Sequence, residues 1–170
     1  MTSTDITYES IAEQLAEQFP NQILGSELSF GILALTVERA SIVPIITWLK
    51  EDPTLRFIFL TDLCGIHFPE QKGQELGVVY HLHSLENNIR LRLKIFFPAN
   101  DPVVDTLTLV FDGANWMERE TFDFFGIQFK GHPDLRRILN MDEMDYHPLL
   151  KQYPLEDGTR TDKDDKFFGR

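Results

Sequence analysis

Three carboxylates and one histidine around residue 120 are the groups whose types and spacing could do chemistry. Glu118, Glu120 and Asp123 fall within six residues, and His132 follows them after a short interval. Carboxylates beside a histidine can serve as general acid and base. One hypothesis is therefore a free-standing small enzyme that uses Glu118, Asp123 and His132 around a concave pocket.

Helical geometry separates these carboxylates. Residues 114–125 are predicted to form an α-helix that Gly126 ends. Glu118 falls in or beside the apolar arc of this helix, whereas the opposite face carries Trp116, Arg119, Glu120 and Asp123. A carboxylate in an apolar arc needs a cation or several donors, and the nearest candidates downstream are Arg136 and Arg137. We expect a clamp between Glu118 and one of these arginines, with an intersubunit ion pair and catalysis as the alternatives.

Prolines divide the chain after Gly131. His132-Pro133, His147-Pro148 and Tyr153-Pro154 favour extended backbone, because the residue before a proline avoids the helical region. The two histidines are interpreted as hydrogen-bonded side chains that fix this segment, with metal binding as the alternative. Residues 131–170 are therefore predicted to form an extended C-terminal arm that packs on partner subunits. Its end includes Phe167 and Phe168, which favour contact with a partner.

Charge and cysteine content exclude several classes of site. The formal net charge of −11 argues against a nucleic-acid partner, which requires a clustered positive surface. The single cysteine, Cys64, excludes an internal disulfide, a cysteine-rich zinc site and a four-cysteine iron–sulfur cluster. No glycine-rich phosphate loop occurs. Any redox cofactor nearby is expected to belong to a neighbouring protein.

The apolar segments predict a protein without membrane insertion. The longest apolar runs fall far short of the roughly 20 residues that a spanning helix needs. The N-terminal residues lack the basic and apolar regions of a secretory signal and the arginines of a transit peptide. We expect a cytosolic chain that other proteins hold at a membrane, if it is found there.

The predicted elements indicate an α/β (α+β) fold. Its N-terminal helices pack on a small mixed or antiparallel sheet, and the helix of residues 114–125 and the arm follow. Residues 1–130 are predicted to form the core domain. The first helix is expected at residues 7–19, and the second runs from an N-cap at Ser41 to about residue 50. A short element is expected over 103–110, after the cap and first-turn proline Asp101-Pro102. The strands are expected at 28–37, 55–62, 77–85 and 89–97.

Two stretches of the sequence resemble a known family. The sequence reads WMERE and FDFFGI within residues 116–127, then GHPDLRRIL at residues 131–139. Their order, spacing and length resemble the signature of the C subunit of NADH:quinone oxidoreductase, respiratory complex I, in its stand-alone bacterial form. The resemblance continues through residues 147–158, and it departs at Leu150, where many relatives carry an arginine. That departure puts one charged contact of the arm in doubt.

The resemblance implies a core structural subunit of the hydrophilic (peripheral) arm that binds no cofactor. Iron–sulfur clusters, FMN, NADH and quinone are then expected in partner subunits, with the D subunit of complex I and neighbouring iron–sulfur subunits as the contacts. The implied location is the cytoplasmic face of the bacterial inner membrane. Equivalent subunits occur in membrane-bound hydrogenases and ferredoxin-linked complexes, which stay as alternatives. The implied interface residues are Trp116, Glu118, Arg119, Glu120, Asp123, Phe125, Gly126, His132, Pro133, Asp134, Arg136, Arg137, His147, Pro148, Tyr153 and Pro154.

Overall fold

A mixed five-stranded sheet forms the centre of the fold in the computed structural model, which describes residues 6–154. The sheet strands are β1 (Ile23–Ser29), β2 (Ile32–Val37), β3 (Phe59–His67), β4 (Leu76–Ser84) and β5 (Ile89–Phe97). Their spatial order is β1-β2-β5-β4-β3, and every pair is antiparallel except β2 with β5. The predicted α/β class and mixed sheet are confirmed.

Two N-terminal helices cover one face of this sheet. They are α1 (Tyr8–Gln18) and α2 (Ile42–Glu51), and a short 3-10 helix (Arg39–Ser41) precedes α2. Thr7 caps α1 through a reciprocal pair of hydrogen bonds with Ser10, which satisfies orphan backbone donors of the first turn. The buried faces of both helices join one core with alternate residues of the strands, as the alternating pattern of β5 predicts: Ile11, Leu15, Ile42, Ile45, Ile46, Leu49, Leu33, Leu35, Leu91, Leu93 and Ile95.

A third helix and a small second sheet complete the described part of the chain. The helix is α3 (Ala114–Phe125), and two short parallel strands flank it in sequence, β6 (Val103–Asp105) and β7 (Gln128–Lys130). Residues 131–154 contain turns and bends but neither helix nor strand, as the prolines predict. This part of the predicted arm packs on α3. Residues 155–170, with Phe167 and Phe168, lie outside the described residues, so the predicted domain division stays a prediction.

The strand predicted over residues 28–37 is wrong, because this stretch spans a hairpin turn. Phe30 and Gly31 both have positive φ angles, 52° and 74°, and reverse the chain between β1 and β2. Two successive positive φ angles are typical of the type I′ turn, whose twist matches that of paired strands.

Two other predictions have the wrong position or type. The strand expected at residues 55–62 instead runs over β3, although Leu55 and Phe57 are buried in the core as expected. The element expected at 103–110 is the short strand β6 followed by a turn. No helix begins directly after Asp101, and its carboxylate instead accepts a hydrogen bond from Arg39 at 2.6 Å.

Gly65 lets α3 approach the sheet. It lies within β3, paired with Val78, and a Cβ atom added there would stand 2.5 Å from Cδ2 of Phe125. The ring of Phe125 therefore occupies the space that any side chain at position 65 would need. A side chain at this position would push the helix away from the strand.

We expect Gly65→Ala to destabilise the protein by about 1–3 kcal/mol, because the added methyl group overpacks the contact with Phe125. The free energy of unfolding, measured by urea denaturation, tests this. Gly113→Ala is the matched control, since an added Cβ there meets nothing within 4 Å. Equal stability of the two variants would contradict this account of the packing.

Candidate functional site

The C-terminal end of α3 is shaped by a glycine. Gly126 adopts a left-handed conformation, with φ 76°, and its N–H donates to the carbonyl of Phe122. A Cβ added to Gly126 would stand 2.7 Å from the ring of His147. Only glycine combines this backbone conformation with so close a neighbour. The predicted helix end is confirmed, and Gly126 also makes room for the arm.

Asp123 is the centre of the hydrogen bonds that hold the arm on α3. Its Oδ2 accepts from the backbone N–H groups of Ile138, Leu139 and Asn140, at 3.1, 2.8 and 2.9 Å. Its Oδ1 accepts from the guanidinium of Arg137 at 2.7 Å and from the side-chain amide of Asn140 at 3.1 Å. The carboxylate is fully buried. It therefore binds residues 137–140 as an anion binds a nest of donors.

These donors determine the protonation state of Asp123. Burial by itself raises the pKa of this carboxyl, but the hydrogen bonds from Asn140, Leu139 and Arg137 outweigh it and hold the pKa well below its usual range. Asp123 is therefore a carboxylate throughout the physiological pH range. A carboxylate whose lone pairs are already engaged is poorly suited to accept a proton in catalysis.

Arginine side chains extend this contact along the arm. Arg137 also donates to the carbonyls of Asp123, Met144 and Tyr146, at 3.0, 2.7 and 2.8 Å. Arg119, buried on α3, donates to the carbonyls of Arg136 and Arg137 at 3.2 and 3.0 Å. Arg119 of α3 thus binds the backbone of the arm, and Arg137 of the arm binds the backbone of α3. Residues 131–154 of the arm form no strand, and these side chains bind some of their backbone groups instead.

The predicted partner of Glu118 is wrong, because the clamp uses Asp123. Glu118 accepts hydrogen bonds from the hydroxyl of Thr106 at 2.5 Å and from the backbone N–H of Leu107 at 2.7 Å. Its side chain points towards the segment after β6, whereas Arg137 reaches α3 from the arm side. Burial raises the pKa of Glu118 to about 7, although both hydrogen bonds lower it. Glu118 is thus a buried acid joined to two neutral donors.

The histidines fix the arm, as predicted. The Nδ1 atom of His132 accepts from the N–H of Asp134 at 3.0 Å, so its Nε2–H is the group that faces the carbonyl of Asn115 at 3.1 Å. His147 lies 2.9 Å from the carbonyl of Asp123 through Nδ1, and its ring meets that of Phe122 edge-on. Each imidazole therefore joins α3 to residues 132–147.

Other signature residues lie on the surface. Trp116 is 58% exposed, and the guanidinium of Arg119 lies 5.3 Å from its ring centroid. Glu120 is exposed, and Asp134 and Arg136 form an exposed ion pair at 2.9 Å. Pro133 and Pro154 are exposed, whereas Phe125, Pro148 and Tyr153 are partly buried. The ring of Tyr153 packs against that of Tyr146 with centroids 4.8 Å apart.

Several contacts involve residues that the motifs do not contain. Thr106 binds Glu118, Asn140 binds Asp123, and Nδ1 of His67 accepts from the N–H of Lys151 at 3.0 Å. His67 is on β3 and Lys151 is far along the arm, so no local pattern relates them. The role of Asn140 could have been predicted from the sequence, because it closely follows the double arginine and has hydrogen-bond donors on both backbone and side chain.

The candidate catalytic residues do not converge. Glu118, Asp123 and His132 make no hydrogen bond with one another, and each engages different partners. Within residues 6–154, no group of three or more histidine, cysteine or acidic side chains is placed to hold a metal. None of the helices described there is long and apolar enough to cross a membrane. These contacts form a structural attachment between α3 and the arm, called the fastening below.

Comparison with known proteins gives a consistent family. The family model of the 30 kDa subunit of respiratory-chain NADH dehydrogenase matches residues 35–159. The C subunit of NADH-quinone oxidoreductase from Xanthobacter autotrophicus is 41% identical over 150 residues, covering 88% of this chain and 71% of the relative. The same subunit from Paramagnetospirillum magneticum is 42% identical over 148 residues, covering 86% and 73%.

Solved structures share the fold. A trypsin-resistant fragment of Nqo5, residues 1–134, is 31% identical with a TM-score of 0.63, covering 75% of this chain and 98% of the fragment. A chain of an archaeal membrane-bound sulfane sulfur reductase is 23% identical with a TM-score of 0.71, covering 86% and 85%. The second likeness concerns the fold alone.

We expect Asp123→Asn to lower the free energy of unfolding by about 3 kcal/mol at neutral pH, because Arg137 and several amides lose a charged acceptor in a buried site. Asp134→Asn is the matched control. It removes an exposed ion pair and should cost less than about 1 kcal/mol. Urea denaturation of both variants checks this, and comparable losses would contradict a central role for Asp123.

The depressed pKa of Asp123 also gives the sign of an acid dependence. Its stabilisation is present above the ordinary aspartate pKa of 3.8 and is lost as the pH falls below that value. The difference between wild type and Asp123→Asn should therefore shrink in acid. A difference that does not change between pH 7 and pH 3 would argue against this linkage.

Glu118 should have the opposite pH dependence. Its pKa rises from an ordinary 4.5 to about 7 on folding, so the protonated form is favoured and stability falls as the pH rises from 4.5 to 7. Glu118→Gln keeps an acceptor for Leu107 and a donor for Thr106 without the charge. Above pH 7 we expect it to be more stable than wild type by up to about 3 kcal/mol.

Thermal unfolding from pH 5 to pH 8 measures the effect of Glu118. The Glu118→Gln profile should be flatter than that of wild type. Parallel profiles would show that the charge on Glu118 carries no cost in the folded protein.

Proposed function

This chain belongs to the family of the C subunit of NADH-quinone oxidoreductase, the 30 kDa subunit family of respiratory-chain NADH dehydrogenase, and we propose that it acts there as a structural subunit. Its role is to hold neighbouring subunits of the peripheral arm in register, while the chemistry takes place in those neighbours. It belongs to the enzyme without supplying catalytic residues. Small displacements of redox groups are costly, so a rigid support contributes to the rate of electron transfer.

One observation carries this proposal: Arg119, Asp123 and Arg137, the charged signature residues at the contact between α3 and the arm, are engaged in structural hydrogen bonds. Asp123 binds residues 137–140, and Arg119 and Arg137 bind backbone carbonyls. A catalytic carboxylate needs access to substrate and a free lone pair. These groups instead determine the course of the arm over α3. Their conformational role supports assembly as the function.

The surface that this fastening presents has the composition of a binding surface. Trp116 on α3 and the arm residues Leu139, Met141 and Tyr146 are all exposed apolar or aromatic side chains. Aromatic side chains and methionine are enriched at protein interfaces. These arm residues are not part of a helix or strand, and buried polar contacts between the arm and α3 hold them in place. We propose that this surface packs on the D subunit of complex I and on the iron–sulfur subunits beside it.

The proposal extends to cofactors and location. The subunit binds no cofactor itself, and the iron–sulfur clusters, FMN, NADH and quinone are bound by its partners. It sits on the cytoplasmic face of the bacterial inner membrane, held there by the rest of the complex. The composition supports this, because one cysteine cannot hold a four-cysteine cluster.

Affinity purification from the native host in mild detergent tests the proposal. The tagged subunit should bring down iron–sulfur and membrane subunits together with NADH:quinone activity, identified by mass spectrometry. Recovery of hydrogenase subunits would move the assignment to that related complex. Recovery of a lone, monodisperse protein under conditions that preserve such complexes would overturn the proposed function.

We expect Trp116→Ala to lower the recovery of partner subunits about tenfold while leaving the thermal stability of the subunit nearly unchanged. An exposed aromatic anchor contributes about 1–2 kcal/mol or more to association but little to folding. Phe30→Ala is the matched control, because Phe30 is 99% exposed in the β1–β2 turn and outside the signature. Equal recovery of partners by the two variants would contradict an interface at Trp116.

A further inference from the structure

Strand β3 forms an edge of the main sheet that no described strand pairs, beside α3. Within residues 6–154, β3 pairs only with β4 and forms one border of the sheet. No backbone hydrogen bond joins Phe59–His67 to any described segment other than β4. The N–H and C=O groups on the outer side of an edge strand are a template for pairing with another extended chain.

A groove runs along this edge. Its volume is about 200 Å³, and residues 62–65 of β3 form one side of it. Thr121 and Phe124 of α3 line it as well, together with Leu149 of the arm. The N–H of Leu149 donates to the carbonyl of Phe124 at 3.1 Å, which fixes the arm side of the groove against the helix. The fastening described above thus builds the groove.

The lining of the groove combines apolar walls with two carboxylates. Asp62 and Glu120 both line it, and no lysine or arginine among the described residues does. Within the same part of the chain, Glu120 makes no ion pair. The one basic side chain near the Asp62 carboxylate there is that of His81, whose Nδ1 lies 3.8 Å from Oδ2. Burial raises the pKa of the Cys64 thiol in this groove, and Asp62 and Glu120 raise it further, whereas Arg92, which does not line the groove, lowers it. Both carboxylates are therefore close to the same thiol.

This lining complements a lysine or arginine side chain. Such a side chain lays its methylene stem on apolar surface and keeps its cationic end among polar groups. Phe124 and Leu149 offer the apolar surface, and the two carboxylates offer the counter-charge. The backbone edge of β3, unpaired within residues 6–154, offers hydrogen bonds to the main chain that carries this side chain. Charge and backbone therefore point to the same occupant.

We propose that an extended segment of a partner subunit pairs with the edge of β3 at residues 62–65 and places a lysine or arginine between Asp62 and Glu120. The inference rests on the proposed function, since it names the chemistry by which one partner is held. The segment adds a sixth strand to the main sheet. Its cation neutralises two carboxylates that have no lysine or arginine partner among residues 6–154.

Site-specific photocross-linking in the assembled complex tests this. A benzoylphenylalanine placed at position 149 lines the groove, and the same residue at the exposed position 109 is the matched control. After irradiation of the purified complex, mass spectrometry should locate a cross-link from position 149 to a partner segment that contains a lysine or arginine. Position 109 should not give this product.

Charge reversal then tests the cation. Glu120→Lys should lower the yield of the partner cross-link at least about tenfold, because like charges face each other across the contact. Glu143→Lys makes the same change at an exposed acid that does not line the groove and should leave the yield unchanged. Reversing the charge of the cross-linked partner residue to glutamate should restore the yield with Glu120→Lys.

The outcomes separate the two proposals. A cross-link to residues 155–170 of this chain, an equal yield with Glu120→Lys, or no cross-link within an intact complex would overturn the groove proposal and leave the structural role in place. A tagged chain that joins no complex at all would overturn both.

Discussion

The position of the arm on α3 depends on one buried carboxylate, which accepts hydrogen bonds from several donors of the arm. Asp123 is removed from water, and an isolated charge in that position would be strongly unfavourable. Three consecutive amides, one guanidinium and one side-chain amide compensate for the lost water. The arrangement is reciprocal, because residues 137–140 lie outside any strand and their amides need acceptors as much as Asp123 needs donors. Neither the helix end nor residues 137–140 satisfies its polar groups without the other.

Close backbone approach is the second requirement for this arrangement. Gly65 admits the ring of Phe125, and Gly126 admits the ring of His147. The first contact seats α3 against the sheet, and the second seats the arm against the end of α3. Together they bring Asp123 within hydrogen-bond distance of the arm. The polar contacts at Asp123 and the two glycine contacts are therefore parts of one packing solution.

The sequence predicted elements well where the hydrophobic period was clean. The β4–β5 hairpin followed from alternation, α1 from the helical spacing of its apolar residues, and α3 from that spacing and Gly126. The β1–β2 turn was missed because Phe30 takes a positive φ angle, which a phenylalanine rarely does. Glu118 was assigned to an arginine because charge suggests a counter-charge, whereas its actual partners, Thr106 and Leu107, carry none. Helix position alone could not tell which face of α3 meets the arm.

The parallel pairing of β2 with β5 determines the order in which the sheet can form. Leu33 to Thr36 pair with Leu91 to Lys94, so the pairing joins segments that are far apart in the chain. The β1–β2 hairpin and the β3–β4–β5 meander each pair only consecutive strands, so each can form without the other. The first hairpin, β1 with β2, must nevertheless wait for β5 before the second edge of β2 is paired. Until β5 is made, that edge of β2 is an unpaired template on which another extended chain could pair.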